Sequence, residues 1–128
     1  MALTATVFHV DLTSGRIETE TIPEDVYRKY PGGSALAAYL LMQHIRVGAD
    51  PLGPENVLVM AVSPLTGLAI SGQSRMTACA RSPLTGAIGD SQCGGFFPAE
   101  MRNAGADAIV FTIVVPSIAF ACSNVPSL

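Results

Sequence analysis

The segment Gln92-Cys93-Gly94-Gly95 stands just ahead of a short helical stretch, Pro98 to Asn103. Paired glycines before a helix let backbone N–H groups close on an anion, and the helix dipole favours negative charge there. The same four residues also make an ordinary loop-to-helix turn, because a lone glycine pair falls short of a full phosphate-binding fingerprint. Cys93 lies where a helix start can lower a thiol pKa. A Cys–His nucleophilic pair would need His9 or His44, both far upstream, to come close in space; a small, partly buried thiol is the commoner use. Arg75 follows Gly72-Gln73-Ser74 at the head of an alternating run. A guanidinium there either caps the surface or grips a phosphate or carboxylate at two points. His9 and His44 read as structural or exposed residues rather than metal ligands, and no close acidic pair points to acid–base catalysis.

The elements that must position these residues are legible in outline. Residues 4–22 predict a β-hairpin, with Phe8, Val10 and Leu12 on one face, His9 and Asp11 on the other, and Leu12-Thr13-Ser14-Gly15 as the turn. Pro23 opens a short helix whose acidic first turn and basic last turn complement its dipole, and Pro31-Gly32-Gly33 stops it. Ser34 is the expected N-cap of a second helix running to about Ile45. Its two apolar stripes predict burial on more than one side. Val57 to Val62 is a continuous apolar run, as in a strand covered on both faces. Ser74 to Arg81 alternates, with Arg75, Thr77, Cys79 and Arg81 on one face. Ala87 to Gly95 reads as a glycine-broken connection, and Asp107 begins another apolar strand. SPLTG occurs at Ser63–Gly67 and again at Ser82–Gly86; both copies predict turns, at corresponding ends of a sheet.

Composition bounds the answer. The 128 residues are one domain or a piece of one. With charged residues at 13%, about half the usual share, and hydrophobic residues at 49%, the chain is not intrinsically disordered. A net charge of −3 without a basic stripe gives no footing for non-specific nucleic-acid binding. Cys79, Cys93 and Cys122 are odd in number and widely spaced, which is neither a disulfide framework nor a metal knuckle and points to a reducing compartment. The N-terminus lacks a signal-peptide pattern. The apolar part of the last segment, Ala108 to Cys122, falls short of a membrane span and is broken by Pro116. The expectation is a cytoplasmic α+β chain that contacts neither membrane nor nucleic acid.

Taken together, DLTSGRIETETI, GGSALAAYLL, DPLGPEN, the two SPLTG copies, SGQSRM and DSQCGGFFPAEMRNAGADAIV resemble the start of the tungsten-containing aldehyde ferredoxin oxidoreductases. The likeness runs in order over about residues 7–111. It implies an α+β fold of mostly antiparallel sheets with short helices, as the partial N-terminal domain of that family. It also implies a reaction: an aldehyde is oxidised to a carboxylic acid, and electrons pass through a [4Fe–4S] cluster to ferredoxin. The metal, tungsten or molybdenum, is held by two pyranopterins. The family's G-x-x-R arginine corresponds to Arg75, and its Asn-Ser-Gly-Gly pterin loop corresponds to Gln92, Cys93, Gly94 and Gly95, with Gln in place of Asn and Cys in place of Ser. A family arginine in the GGSAL segment appears as Ser34, so no site is carried there. The family's cluster cysteines and its catalytic acid and base belong to later domains. This chain is therefore expected to bind pterin only together with the remaining domains, and to bind no [4Fe–4S] cluster and catalyse nothing by itself. Residues 112–128, without glycine or charge, read as a divergent apolar tail, expected to be poorly ordered or to pair through an exposed edge, and the fragment is expected to self-associate or to be marginally stable. The other readings are a free-standing binding or assembly module without redox work and a small thiol enzyme using Cys93.

Overall fold

The computed structural model describes residues 3–112. The elements run β1 (Ala5–Asp11), β2 (Arg16–Ile22), α1 (Glu24–Lys29), α2 (Gly33–His44), β3 (Val57–Val62), β4 (Arg75–Arg81), β5 (Ile88–Gly94), α3 (Phe97–Asn103) and β6 (Ala108–Thr112). The strands form one six-stranded sheet in the order β2-β1-β6-β3-β4-β5. Every neighbouring pair is antiparallel except β1 and β6, which run parallel. The architecture is α+β, as expected, with a single mixed sheet in place of several.

The hairpin forms as its sequence predicts. Gly15 takes φ +70°, its N–H bonds the Asp11 carbonyl at 2.8 Å, and Asp11 accepts from the Thr13 N–H and the Ser14 hydroxyl. Those two bonds hold the Asp11 carboxyl below its ordinary pKa. The alternation in β1 is correct, but Ala5 and Val7, on the face of His9, are the fully buried residues, whereas Phe8 is only partly covered. The reason lies in the layers above and below. On one face of the sheet, α2 lays Leu36, Ala37, Leu40 and Leu41 over Val7, Val59 and Val110, and Tyr27 of α1 joins them. On the other face only the short α3 contributes, through Met101, to a smaller cluster with Val62, Met76 and Ala106. The central strand β3 is thus covered on both sides, as its unbroken apolar run predicts.

Three local expectations are corrected. Ser34 is not the N-cap of α2: Gly32 is, and Gly33 opens the helix, because both glycines take positive φ and turn the chain directly from α1 into α2. A Cβ at Gly32 would stand 2.5 Å from the Val62 carbonyl oxygen, so this end of α2 rests on the end of β3. Secondly, α2 buries one face, not two; Met42 stands 64% exposed. Thirdly, Ala87–Gly95 is no mere connection. It contains β5, which pairs with all seven residues of β4. Its glycines hide the strand signal, since an edge strand needs little side-chain burial.

The two SPLTG segments are both turns, closed by Gly67 at φ +89° and Gly86 at φ +69°. They follow β3 and β4, which are antiparallel, so they sit at opposite ends of the sheet rather than at corresponding ends. Asp107 locks the centre. Its carboxylate accepts from the Thr6 N–H at 2.8 Å and pairs with Arg102, while its backbone bonds Thr6 and Val62. Thr112 still belongs to β6, pairing with Asp11 and Val57; the rest of the apolar tail lies outside the described residues.

Candidate cofactor-binding surface

Arg75 opens β4, and the register sets it directly opposite Gly94 of β5. Thr77 stands opposite Gln92 in the same register, and side chains opposite each other in a sheet share a face. Arg75, Thr77, Gln92 and Gly94 therefore present to the α2 side of the sheet. Ser34, in the first turn of α2, completes the group: its hydroxyl shares a hydrogen bond with Thr77 Oγ1 (3.2 Å) and accepts from Gln92 Nε2 (3.4 Å).

Cys93 does not join them. It pairs with Met76, so its side chain leaves by the other face, where it is exposed. Only its backbone can serve a ligand on the Arg75 side. Gly95, at φ +105° with open space where a Cβ would stand, turns the chain out of β5 toward α3. Its carbonyl accepts from Ser74 Oγ, which ties that turn to the head of β4. The helix follows at Phe97, so the glycine pair ends a strand and does not itself begin a helix.

The loop before Arg75 is held by Gln73, a residue the sequence reading passes over. Its side-chain oxygen accepts from the Gly67 N–H and its amide donates to the Leu68 carbonyl, both at 2.8 Å. The buried Thr66 hydroxyl lies within hydrogen-bond reach of the carbonyls of Gln73 and Arg75. Both ends of the loop are thus fixed, and the exposed guanidinium of Arg75 has no hydrogen-bond or ion-pair partner among the described residues. An exposed guanidinium on a fixed stretch of backbone, beside a glycine, is chemically suited to a phosphate or a carboxylate. Thr77 could have been marked in the sequence by its alternation with Arg75. Ser34 and Gln73 carry no local signal, because their partners are remote in sequence or lie in an irregular loop.

The remaining reactive groups lie elsewhere. His9, on β1, is four strand spacings from β5, roughly 19 Å, and it faces the α2 side with Val7, opposite to Cys93. His44 meets His9 there. Neither histidine can partner Cys93, which removes the thiol-enzyme reading based on a Cys–His pair. Burial pushes the Cys79 thiol pKa up. An apolar groove of about 260 Å³, lined by Leu41, Ile45, Arg81 and Ile88 among others, lies toward the end of the sheet that carries the second SPLTG turn; Arg75 and Gln92 do not line it.

The chain is thus a one-sheet α+β domain with helices on both faces and an exposed guanidinium at one corner. Residues 7–113 match the family model described as aldehyde ferredoxin oxidoreductase, N-terminal domain, and the chain belongs to that family. It is 43% identical over 101 residues to the tungsten-containing aldehyde ferredoxin oxidoreductase of Pyrococcus furiosus, covering 79% of this chain and 17% of that protein. It is 31% identical to the aliphatic sulfonate oxidoreductase, WOR-like subunit, of the same organism, over 79% of this chain and 16% of the relative. Among solved structures, it superposes on the active site complex BamBC of benzoyl coenzyme A reductase, in complex with 1,5-dienoyl-CoA. That match has a TM-score of 0.80 at 33% identity and covers 84% of this chain and 16% of that one. The chain thus spans about a sixth of the length of the relatives it matches. No helix among the described residues is long and apolar enough to cross a membrane.

Proposed function

We propose that this chain supplies the N-terminal wall of a tungsten (or molybdenum) bis-pyranopterin site in an aldehyde ferredoxin oxidoreductase-type enzyme. Arg75 and the backbone at Gly94 and Gly95 bind the anionic edge of the pterin, and Gln92 orients it with its amide. The observation that carries the reading is the Arg75 guanidinium, without a partner among the described residues, set against Gly94 across the β4–β5 register. The fit is supported by Gly95, where open space stands in place of a Cβ and leaves the backbone at this corner accessible.

When bound, the metal–pterin group would supply the two-electron redox chemistry that turns an aldehyde and water into a carboxylic acid. This chain's residues bind and orient, and a fixed positive charge at Arg75 stabilises the reduced, more negative cofactor. Its three cysteines cannot supply the four thiolates of a [4Fe–4S] cluster. The cluster, the ferredoxin contact and the catalytic groups therefore fall to the remaining domains of the enzyme, in a cytoplasmic setting. By itself the chain is inactive.

The test uses the full-length enzyme carrying this N-terminal sequence. Arg75→Ala lowers tungsten and pterin content at least about tenfold, the scale of losing a charge-assisted bidentate contact, and Arg75→Lys restores part of it. Cys93→Ser leaves cofactor content unchanged. Full tungsten and pterin content in Arg75→Ala would refute the assignment and favour a binding or assembly module without redox work.

A further inference from the structure

We propose that His9, Glu20 and His44 form a binding site for a borderline divalent transition-metal cation, with zinc as the reference ion. The three residues come from three elements: β1, β2 and the last turn of α2. One ligand atom from each lies within 4.8 Å of the other two. His9 Nε2 already stands 2.7 Å from Glu20 Oε2, and the His44 ring meets the His9 ring edge-on with centroids 4.9 Å apart. A hydrogen bond between His9 and Glu20 accounts for two of these groups. It does not account for a second imidazole brought to the same carboxylate.

The donor set selects the ion. Two imidazoles and one carboxylate suit zinc and its neighbours, whereas calcium and magnesium require oxygen ligands. Three protein ligands leave a fourth position for water, an open coordination. Donors around zinc at its usual bond lengths stand about 3.3 Å apart, so the widest gap closes by roughly 1.5 Å. The side chains of Glu20 and His44 are exposed and can rotate to supply that movement. The position also favours a cation electrostatically, since His44 sits at the carbonyl end of a 12-residue helix. The bound ion would pin that helix end to the β1–β2 hairpin. The site lies at the other end of α2 from Ser34, roughly 15 Å along its axis, and is independent of the pterin reading.

The test titrates the tag-free 128-residue chain, stripped of metal, with zinc against a chromophoric chelator, and repeats the titration with cobalt(II). One equivalent of zinc binds, and His44→Gln and Glu20→Gln each weaken it at least about tenfold. The cobalt complex shows visible ligand-field bands without a thiolate charge-transfer band. In nuclear magnetic resonance spectra, zinc shifts the imidazole signals of His9 and His44. His9→Gln behaves likewise if it folds; the two exposed positions decide the matter if it does not. Absence of binding at millimolar zinc, affinity unchanged in the exposed-site variants, or a cobalt–thiolate band would each overturn the proposal, the last by placing the metal on a cysteine.

Discussion

At the residue scale, the sheet register divides chemically similar groups by face. Cys79 and Cys93 illustrate this. Cys79 points from β4 under α2 and is 1% exposed, and burial pushes its thiol pKa up. Cys93 points from β5 to the opposite side and is exposed. Alkylation requires the thiolate and access to it. Iodoacetamide on the native chain at mildly alkaline pH therefore labels Cys93 while Cys79 is protected until the chain unfolds, as read by peptide mass spectrometry. Equal labelling of the two would mean that α2 does not cover β4 as described. Asp107 shows the reverse case, in which one residue ties several elements: its carboxylate accepts from the Thr6 N–H of β1 and pairs with Arg102 of α3, and its backbone carbonyl accepts from the Val62 N–H of β3.

At the element scale, glycine governs how helices and strands are joined, and two positions separate its uses. Gly32 and Gly86 both take positive φ, +67° and +69°, and Gly32 is extended at ψ −175°. A Cβ on Gly32 would meet the Val62 carbonyl and Pro64, whereas at Gly86 nothing lies within 4 Å. Gly86→Ala carries only the left-handed strain, about 1 kcal/mol. Gly32→Ala adds a clash that must lift α2 from the end of β3, and costs at least about 2 kcal/mol. Urea unfolding of the two variants measures the difference; equal losses would refute the close approach of α2 to β3. The edges follow the same economy of side chains. β2 exposes alternating Arg16, Glu18 and Glu20 to water, which discourages edge pairing. β5 has Gly89, Asp90 and Gly94 instead, and leaves room beside Arg75.

At the scale of the whole molecule, the end of the sheet that carries Arg75 exposes several apolar side chains. Leu65, Leu68 and Ile70 in the loop before β4 are about half exposed, and Phe96, just beyond β5, is 91% exposed. Ser74 joins these two segments through Gly95. Burial of ~400 Å² of such surface is worth a gross ~10 kcal/mol before the cost of association. On the function proposed above, the further domains of the enzyme would cover this surface. The 128-residue chain without them self-associates with rising concentration, and Leu68→Ser with Phe96→Ser shifts it toward monomer. Sedimentation velocity checks this; a monomer at every concentration would show that the surface needs no cover.

What the sequence by itself determined was the periodic and the punctuated. The hairpin over 4–22, the double-faced strand at 57–62, the two SPLTG turns and the family likeness all rest on alternation, on positive-φ glycines or on contiguous motifs. These are local properties of the chain, set by the strand period and by the freedom of a residue without Cβ. The pairing of Arg75 with the Gln92–Gly95 segment was visible only as a family correspondence. The side each residue faces was settled by the β4–β5 register, which turned Gln92 toward Arg75 and Cys93 away. β5 itself was illegible, because Gly89, Asp90, Ser91 and Gly94 leave it no alternating apolar period, and its pairing with β4 supplies the order. The meeting of His9, Glu20 and His44 was illegible for the same reason: three ordinary surface residues became one cluster only when the last turn of α2 came down over the hairpin. Contacts between remote segments depend on how layers pack, and packing is a property of the assembled sheet and helices, not of any stretch of sequence.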